Sequence, residues 1–248
     1  MMAAFFIMGT LLMAGAVVMT ARRYLPSSAG LVVTVGLPLW LLYVGALSST
    51  GIVADPTLRP PGIFFVVVPA VLFIAMFGVR SARGGKVAAI LPLGLLMGAQ
   101  VFRVAVELGL HRLWVESLVP RLMTYEGGNI DIFIGLTAPF AAWIAGRGPF
   151  GRRLALGWNA LGLLSLANIV ARSALTAPGP LNLIHSELPN LAIGTFPYTF
   201  IAGFFAPLAA LLHVLSIRHL LMPRPASSAP STTPEVAARP APKSGGVP

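Results

Sequence analysis

Cysteine is absent from the chain, and charged side chains make up only 10% of its 248 residues. Without cysteine there is no disulfide framework, no thiolate nucleophile, no iron–sulfur ligation and no thiolate zinc site. Lysine is nearly absent too. Lys86 lies between apolar runs and Lys243 in the C-terminal segment. A retinal Schiff base needs a lysine inside a span, so the seven-helix pigments are excluded. The HExxH and GxSxG patterns are missing, which leaves zinc-protease and serine-hydrolase chemistry without support. The last apolar stretch contains HVLSIRH, whose two histidines are spaced wrongly for one helix face. His111 and His213 fall toward opposite ends of their stretches, which argues against bis-histidine haem. No cofactor, resident metal or catalytic residue is therefore expected. The only metal-type pairing is Glu107 with His111 at i, i+4, supplemented by Glu126, Asp131 or His185.

What the chain has in excess is uninterrupted apolar sequence. Hydrophobic residues make up 56% and the mean hydropathy is +0.85. A soluble domain carries about a quarter charged residues. The apolar runs last about 20 residues, the length a helix needs to cross the hydrocarbon core. Seven can be marked: 3–21, 30–49, 61–79, 87–110, 132–146, 154–173 and 196–217. The expected fold is therefore all-α: a polytopic transmembrane bundle of seven spans, or six without the short fifth stretch. Pro38, Pro69, Pro92, Pro139 and Pro207 fall inside these stretches, where spanning helices tolerate proline because neighbours re-satisfy the freed carbonyls.

The basic residues are distributed as topology signals. Arg22 and Arg23, then Arg80, Arg83 and Lys86, then Arg147, Arg152 and Arg153, then Arg218 and Arg224 follow alternate spans. The intervening loops hold most of the acidic residues. The positive-inside bias predicts an N-terminus outside and a C-terminus in the cytoplasm. The net charge of +10 thus marks a membrane protein, and no nucleic-acid partner is expected. The first stretch has its arginines behind it, which predicts an uncleaved anchor. The bundle is expected over 1–222, followed by a disordered Pro/Ala/Ser-rich tail over 223–248.

Four polar residues of the fourth stretch recur at helical spacing: Gln100, Arg103, Glu107 and His111. At about 100° per residue they share one stripe, and each is costly against lipid, so the stripe should face the bundle interior or a water-filled cavity. Counted from Val87, Arg103 lies about 24 Å along such a helix and Glu107 about 30 Å. Two readings of the Arg103–Glu107 pair stand: an intrahelical salt bridge, or an anion-binding arginine with a carboxylate beside it. In the sixth stretch Ser165, Asn168 and Arg172 share a face, as interhelical contacts or as further site residues. The loop before the fifth stretch carries Glu126, Asn129 and Asp131 around a Gly127–Gly128 turn. Asn129 or Asp131 would cap the next helix, and Asp131 would alternatively pair with Arg103 or Arg172. The loop over 177–195 is long enough to cover this cluster. His213 reads as an isolated structural histidine.

Two segments carry a resemblance. QVFRVAVELGLHRLW and MTYEGGNIDIFIGLTAP resemble a family of multi-pass bacterial membrane proteins usually described as hypothetical, which carry Q-x-F-R-x-x-x-E, then M-T-F-E-G-R-N-F-D and G-L-T-A-P. The matching positions are Gln100, Phe102, Arg103 and Glu107, then Met123, Thr124, Glu126, Gly127, Asn129 and Asp131, then Gly135 to Pro139. Tyr125 stands where the family has Phe. Gly128 stands where it has Arg, which removes a cation from the loop. The resemblance implies a multi-pass bundle in the cytoplasmic membrane and supplies no activity. The expected function is a non-enzymatic outer-facing cavity for a small polar or anionic solute or ion, serving transport, sensing or a larger membrane complex. Its ligand-binding candidates are Gln100, Arg103, Glu107, His111, Glu126, Asn129, Asp131, Asn168 and Arg172. Two alternatives remain: a membrane-embedded enzyme using Glu107 and His111, and a purely structural, partner-binding subunit.

Overall fold

The structure is a computed structural model and describes residues 1–223. Most of the expected tail lies outside the described residues. Among the described residues the chain is all helix and turn. It runs through α1 (Met2–Tyr24), α2 (Ser27–Ser49), α3 (Phe64–Phe73) with a π-helical extension (Ile74–Arg80), α4 (Ala82–Ile90) and α5 (Leu93–Gly98). A 3₁₀ turn joins α5 to α6 (Phe102–Val115). Then come α7 (Asp131–Ala145), α8 (Gly148–Thr176) and a π-helical segment (Ile201–Phe205) leading into α9 (Ala206–Leu221).

Five helical segments are long and apolar enough to cross a membrane: α1, α2, α5–α6 taken together, α8, and the π segment with α9. The α3 unit with α4 makes a sixth if that pair, bent by 75°, is one span. The outward faces carry large exposed apolar side chains, among them Leu12, Leu39, Phe140 and Leu164. In water such a surface would associate; in a bilayer it is solvated by acyl chains.

One end of the bundle gathers the basic clusters. There Arg218 donates to the carbonyls of Gly78 and Ser81, and Arg152 to that of Met222. The other end is closed by the segments 50–63, 116–130 and 177–200, and is called the loop end below. Its segments interlock. Leu191 and Ala192 donate to the Leu118 carbonyl, and Glu187 accepts from the Arg121 backbone N–H at 2.6 Å. The long 177–200 segment thus lies over the 116–130 loop, as a cover would.

One proline breaks the expected pattern. Pro38, Pro69 and Pro139 sit inside helices, and Pro207 lies in the first turn of α9. At Leu91–Pro92 the helix instead stops and restarts. The proline ring forces Leu91 into extended backbone (φ −73°, ψ 133°), which no helix accepts. The helix of the fourth stretch that carries the polar stripe therefore begins at Leu93 rather than Val87. Arg103 lies about 15 Å from that start and Glu107 about 21 Å, both deeper than expected.

The short fifth stretch has a physical account. α7 has 15 residues and rises about 22 Å, less than the hydrocarbon thickness of about 30 Å. Beside it the 116–130 loop packs into the bundle and buries Met123, Thr124 and Asn129. Non-helical backbone at such depth is tolerated where protein surrounds it. α7 packs closely on α6: a Cβ on Gly135 would stand 2.9 Å from the Val104 backbone nitrogen. Gly135→Ala should therefore force the two helices apart and lower stability by about 1–3 kcal/mol. Gly157→Ala is the matched control, since nothing lies within 4 Å of its Cβ direction. Thermal unfolding of both variants in lipid nanodiscs checks the difference.

Candidate functional site: a buried ionic network

α6, α7, α8 and α9 bring their polar residues to one place. Gln100, Arg103 and Glu107 are buried as the stripe predicts, at 0%, 3% and 1% exposure. The intrahelical Arg103–Glu107 salt bridge does not form. Arg103 reaches across to α7, where its Nη2 makes an ion pair with Asp131 Oδ1. The reason is the low start of α7. Its first residue sits at the depth of Arg103, with its backbone N–H held by Asn129 Oδ1 at 3.2 Å. The same Asp131 oxygen accepts from the Ser165 hydroxyl on α8. An anion at a helix N-terminus also meets the favourable end of the macrodipole.

Arg103 has a second partner. Its Nη1 lies 3.0 Å from His213 Nε2, and His213 Nδ1 lies 2.9 Å from Asn159 Oδ1. Asn159 uses its Nδ2 to donate to the Ala155 carbonyl at 2.8 Å. These partners fix the histidine. A guanidinium only donates, so Nε2 must accept; an amide oxygen only accepts, so Nδ1 must carry the proton. His213 is therefore a neutral imidazole. Arg103 and His213 each lie about 18 Å along their helices from the loop end, which explains why they meet. The ring also needs space that only glycine gives: a Cβ on Gly162 would collide with its Cε1 and Nε2.

Glu107 turns toward the loop. Its Oε1 accepts from Asn129 Nδ2, which also reaches the Met123 carbonyl at 3.3 Å. Its Oε2 is buried without a partner among the described residues, as are Gln100 Oε1 and Arg103 Nε. Gln100 spends its Nε2 on the Ala209 carbonyl at 3.0 Å. Arg103, Glu107 and Asp131 line a cavity of about 40 Å³, roofed by apolar residues including Phe102, Leu166 and Phe205. By volume it holds about two or three waters, or one small head group.

The remaining candidates lie elsewhere. His111 stacks on Tyr125 with ring centroids 4.9 Å apart and faces Glu126 at 3.7 Å, in a partly exposed cluster at the loop end. Glu107 and His111 thus have different neighbours, Asn129 for the one and Tyr125 with Glu126 for the other. Among the described residues no three His, Asp or Glu side chains gather as metal ligands would. Arg172 donates to the carbonyls of Leu122 and Gly127, and its Nε to Asn168 Oδ1 at 3.2 Å. Both residues therefore brace the loop and do not reach the cavity. The Arg172 guanidinium stands 3.8 Å from the Cβ direction of Gly128, supplying a cation where the loop lacks one.

Sequence reasoning missed Asn159 and His213 as members of the network, and left Ser165 open between an interhelical contact and a site residue. Ser165 and Asn159 were visible as polar residues in a span. His213 was misplaced in depth, because its span starts at Ile201 rather than Phe196.

A family model described as a domain of unknown function, DUF8737, matches residues 60–221. No curated protein and no solved structure matches the chain. The matched region begins after α2 and contains every residue of the buried network, and the chain belongs to the DUF8737 family.

Proposed function

We propose that this protein is a membrane-embedded binding protein whose buried cavity holds a small cation or hydrogen-bond donor against Glu107. Charge balance inside the network supports this reading. Arg103 offsets Asp131, His213 is neutral, and Arg172 is spent on loop carbonyls. The two cations that would receive an anion are both committed. Glu107 is left with one oxygen unpartnered at the cavity wall, and that oxygen carries the proposal. A buried carboxylate without a counter-charge is costly, so the site favours a proton, a small cation or a donating head group there.

The proposed setting has seven crossings, with α7 and its inserted loop forming the seventh. The basic end lies in the cytoplasm by the positive-inside bias, and the loop end with the cavity faces outward. A binding role in transport, sensing or a larger membrane complex fits a cavity without a nucleophile.

The test uses purified protein in lipid nanodiscs, unfolded thermally and followed by its tryptophan fluorescence. Methylammonium should raise the midpoint, with stabilisation reaching about 2.7 kcal/mol at a hundredfold excess over Kd. Glu107→Gln should abolish the response while keeping the hydrogen bond from Asn129. An unresponsive wild type, or an equal response in Glu107→Gln, overturns the reading.

A further inference from the structure

A second, larger cavity lies beside the first. It is an apolar groove of about 250 Å³ between α1 and α6, lined by Phe5, Gly9 and Met13 from α1 and by Phe102, Ala105 and Val106 from α6. Three residues, Phe102, Val106 and Phe205, line both this groove and the polar cavity. They form the partition between them. The Phe102 and Phe205 rings lie 5.9 Å apart, tilted by 36°. Behind that partition stands Glu107 with its unpartnered oxygen.

The groove faces the bilayer side of the bundle. Ala105 and Ala16 on its walls are exposed, in a helix pair whose surroundings are acyl chains. α1 is the more peripheral wall, with a smaller share of its residues buried than in the α5–α6 segment. On the scale used for the polar cavity, the volume accommodates on the order of fifteen water-sized chain atoms, room for a ten-carbon chain. An apolar groove separated from a buried, unpartnered carboxyl oxygen by three apolar side chains has the layout of an amphiphile site. The chain would lie between α1 and α6, and the head would pass the Phe102–Phe205 partition.

We infer that the ligand of the Glu107 site is a single-chain amphiphile with a small hydrogen-bond-donating head, such as a primary ammonium, entering sideways from the bilayer between α1 and α6. This rests on the reading of Glu107 given above and adds the ligand class and the route. The cavity beyond the partition limits the head to a few heavy atoms. A phosphate-bearing or sugar-bearing head does not fit it. An anionic head would meet Asp131 and Glu107 with both cations already paired.

The test compares decylamine, decanoate and methylammonium on the protein in nanodiscs, by the same thermal midpoint. Decylamine should act at a bulk concentration at least about tenfold below that of methylammonium, because its chain concentrates it in the bilayer and fills the groove. Decanoate should have no effect, and Glu107→Gln should remove the decylamine response. Ala105→Trp fills the groove from an exposed position and should weaken decylamine at least about tenfold while leaving methylammonium unchanged; Ala16→Trp is a second filling variant on the opposite wall. Equal potency of decanoate and decylamine, or an undiminished decylamine response in both tryptophan variants, overturns the lateral route. In those cases a surviving methylammonium response that needs Glu107 leaves the small-cation reading standing. Loss of both responses in the wild type overturns the two together.

Discussion

Arg103→Ala should lose about 3–5 kcal/mol of stability. The guanidinium answers two groups at once, the Asp131 carboxylate and the His213 ring. Its removal leaves Asp131 as an uncompensated charge at 6% exposure, and removing one partner of a buried pair costs about this much. It also strands His213 Nε2, a further unsatisfied acceptor worth about 1–3 kcal/mol when nothing relaxes. The expected observation is a protein that aggregates on solubilisation or unfolds well below the wild type in nanodiscs. Arg103→Met combined with Asp131→Leu separates charge from packing. Replacing both members of a buried pair by apolar residues is often close to neutral. The double variant should therefore recover much of the loss. If it is as unstable as Arg103→Ala, the damage comes from packing and the charge account is wrong.

Gly162→Ala is expected to damage the network through the histidine it displaces. The added methyl would occupy the place of the His213 ring. The ring must then move, and both its bonds break, to Asn159 on α8 and to Arg103 on α6. Overpacking alone costs about 1–3 kcal/mol, and the freed polar groups add to it. Gly157→Ala, one helical turn and a little more away on α8, should be neutral or slightly stabilising, since alanine favours helix by up to about 1 kcal/mol. The contrast in thermal midpoint between two glycines of one helix measures the space reserved for the histidine. A Gly162→Ala protein as stable as Gly157→Ala would show that the ring has another home. His213→Phe in the Gly162 background supplies the complement. It keeps the ring volume but removes the bond to Arg103, so a smaller loss than Arg103→Ala is expected.

The methylammonium response of the Glu107 site and these two stability effects are separable. Glu107 bonds to Asn129 in the inserted loop, whereas Arg103 and His213 tie α6 to α7, α8 and α9. A variant of the loop-side carboxylate should change binding with little change of fold. A variant of the arginine should change the fold first.

The apolar runs by themselves determined that the chain is a helical membrane protein. Long hydrophobic stretches allow little else, because a backbone in hydrocarbon must satisfy its own hydrogen bonds. The spacing of Gln100, Arg103 and Glu107 determined that they share a buried face, since local helical geometry relates residues one turn apart. Tertiary structure decided what that face meets. Arg103 chose between Glu107 on its own helix and Asp131 on another. The choice followed from the depth at which α7 begins, which the buried loop over 116–130 sets. His213 and Asn159 joined because helices far apart in sequence cross at one level. That level depends on where each helix starts: on the break at Pro92 for one, and on the π-helical segment at Ile201 for the other. Such offsets of a few residues move a side chain by several ångströms along the membrane normal. Hydropathy is nearly blind to them, while an ion pair is decided by them.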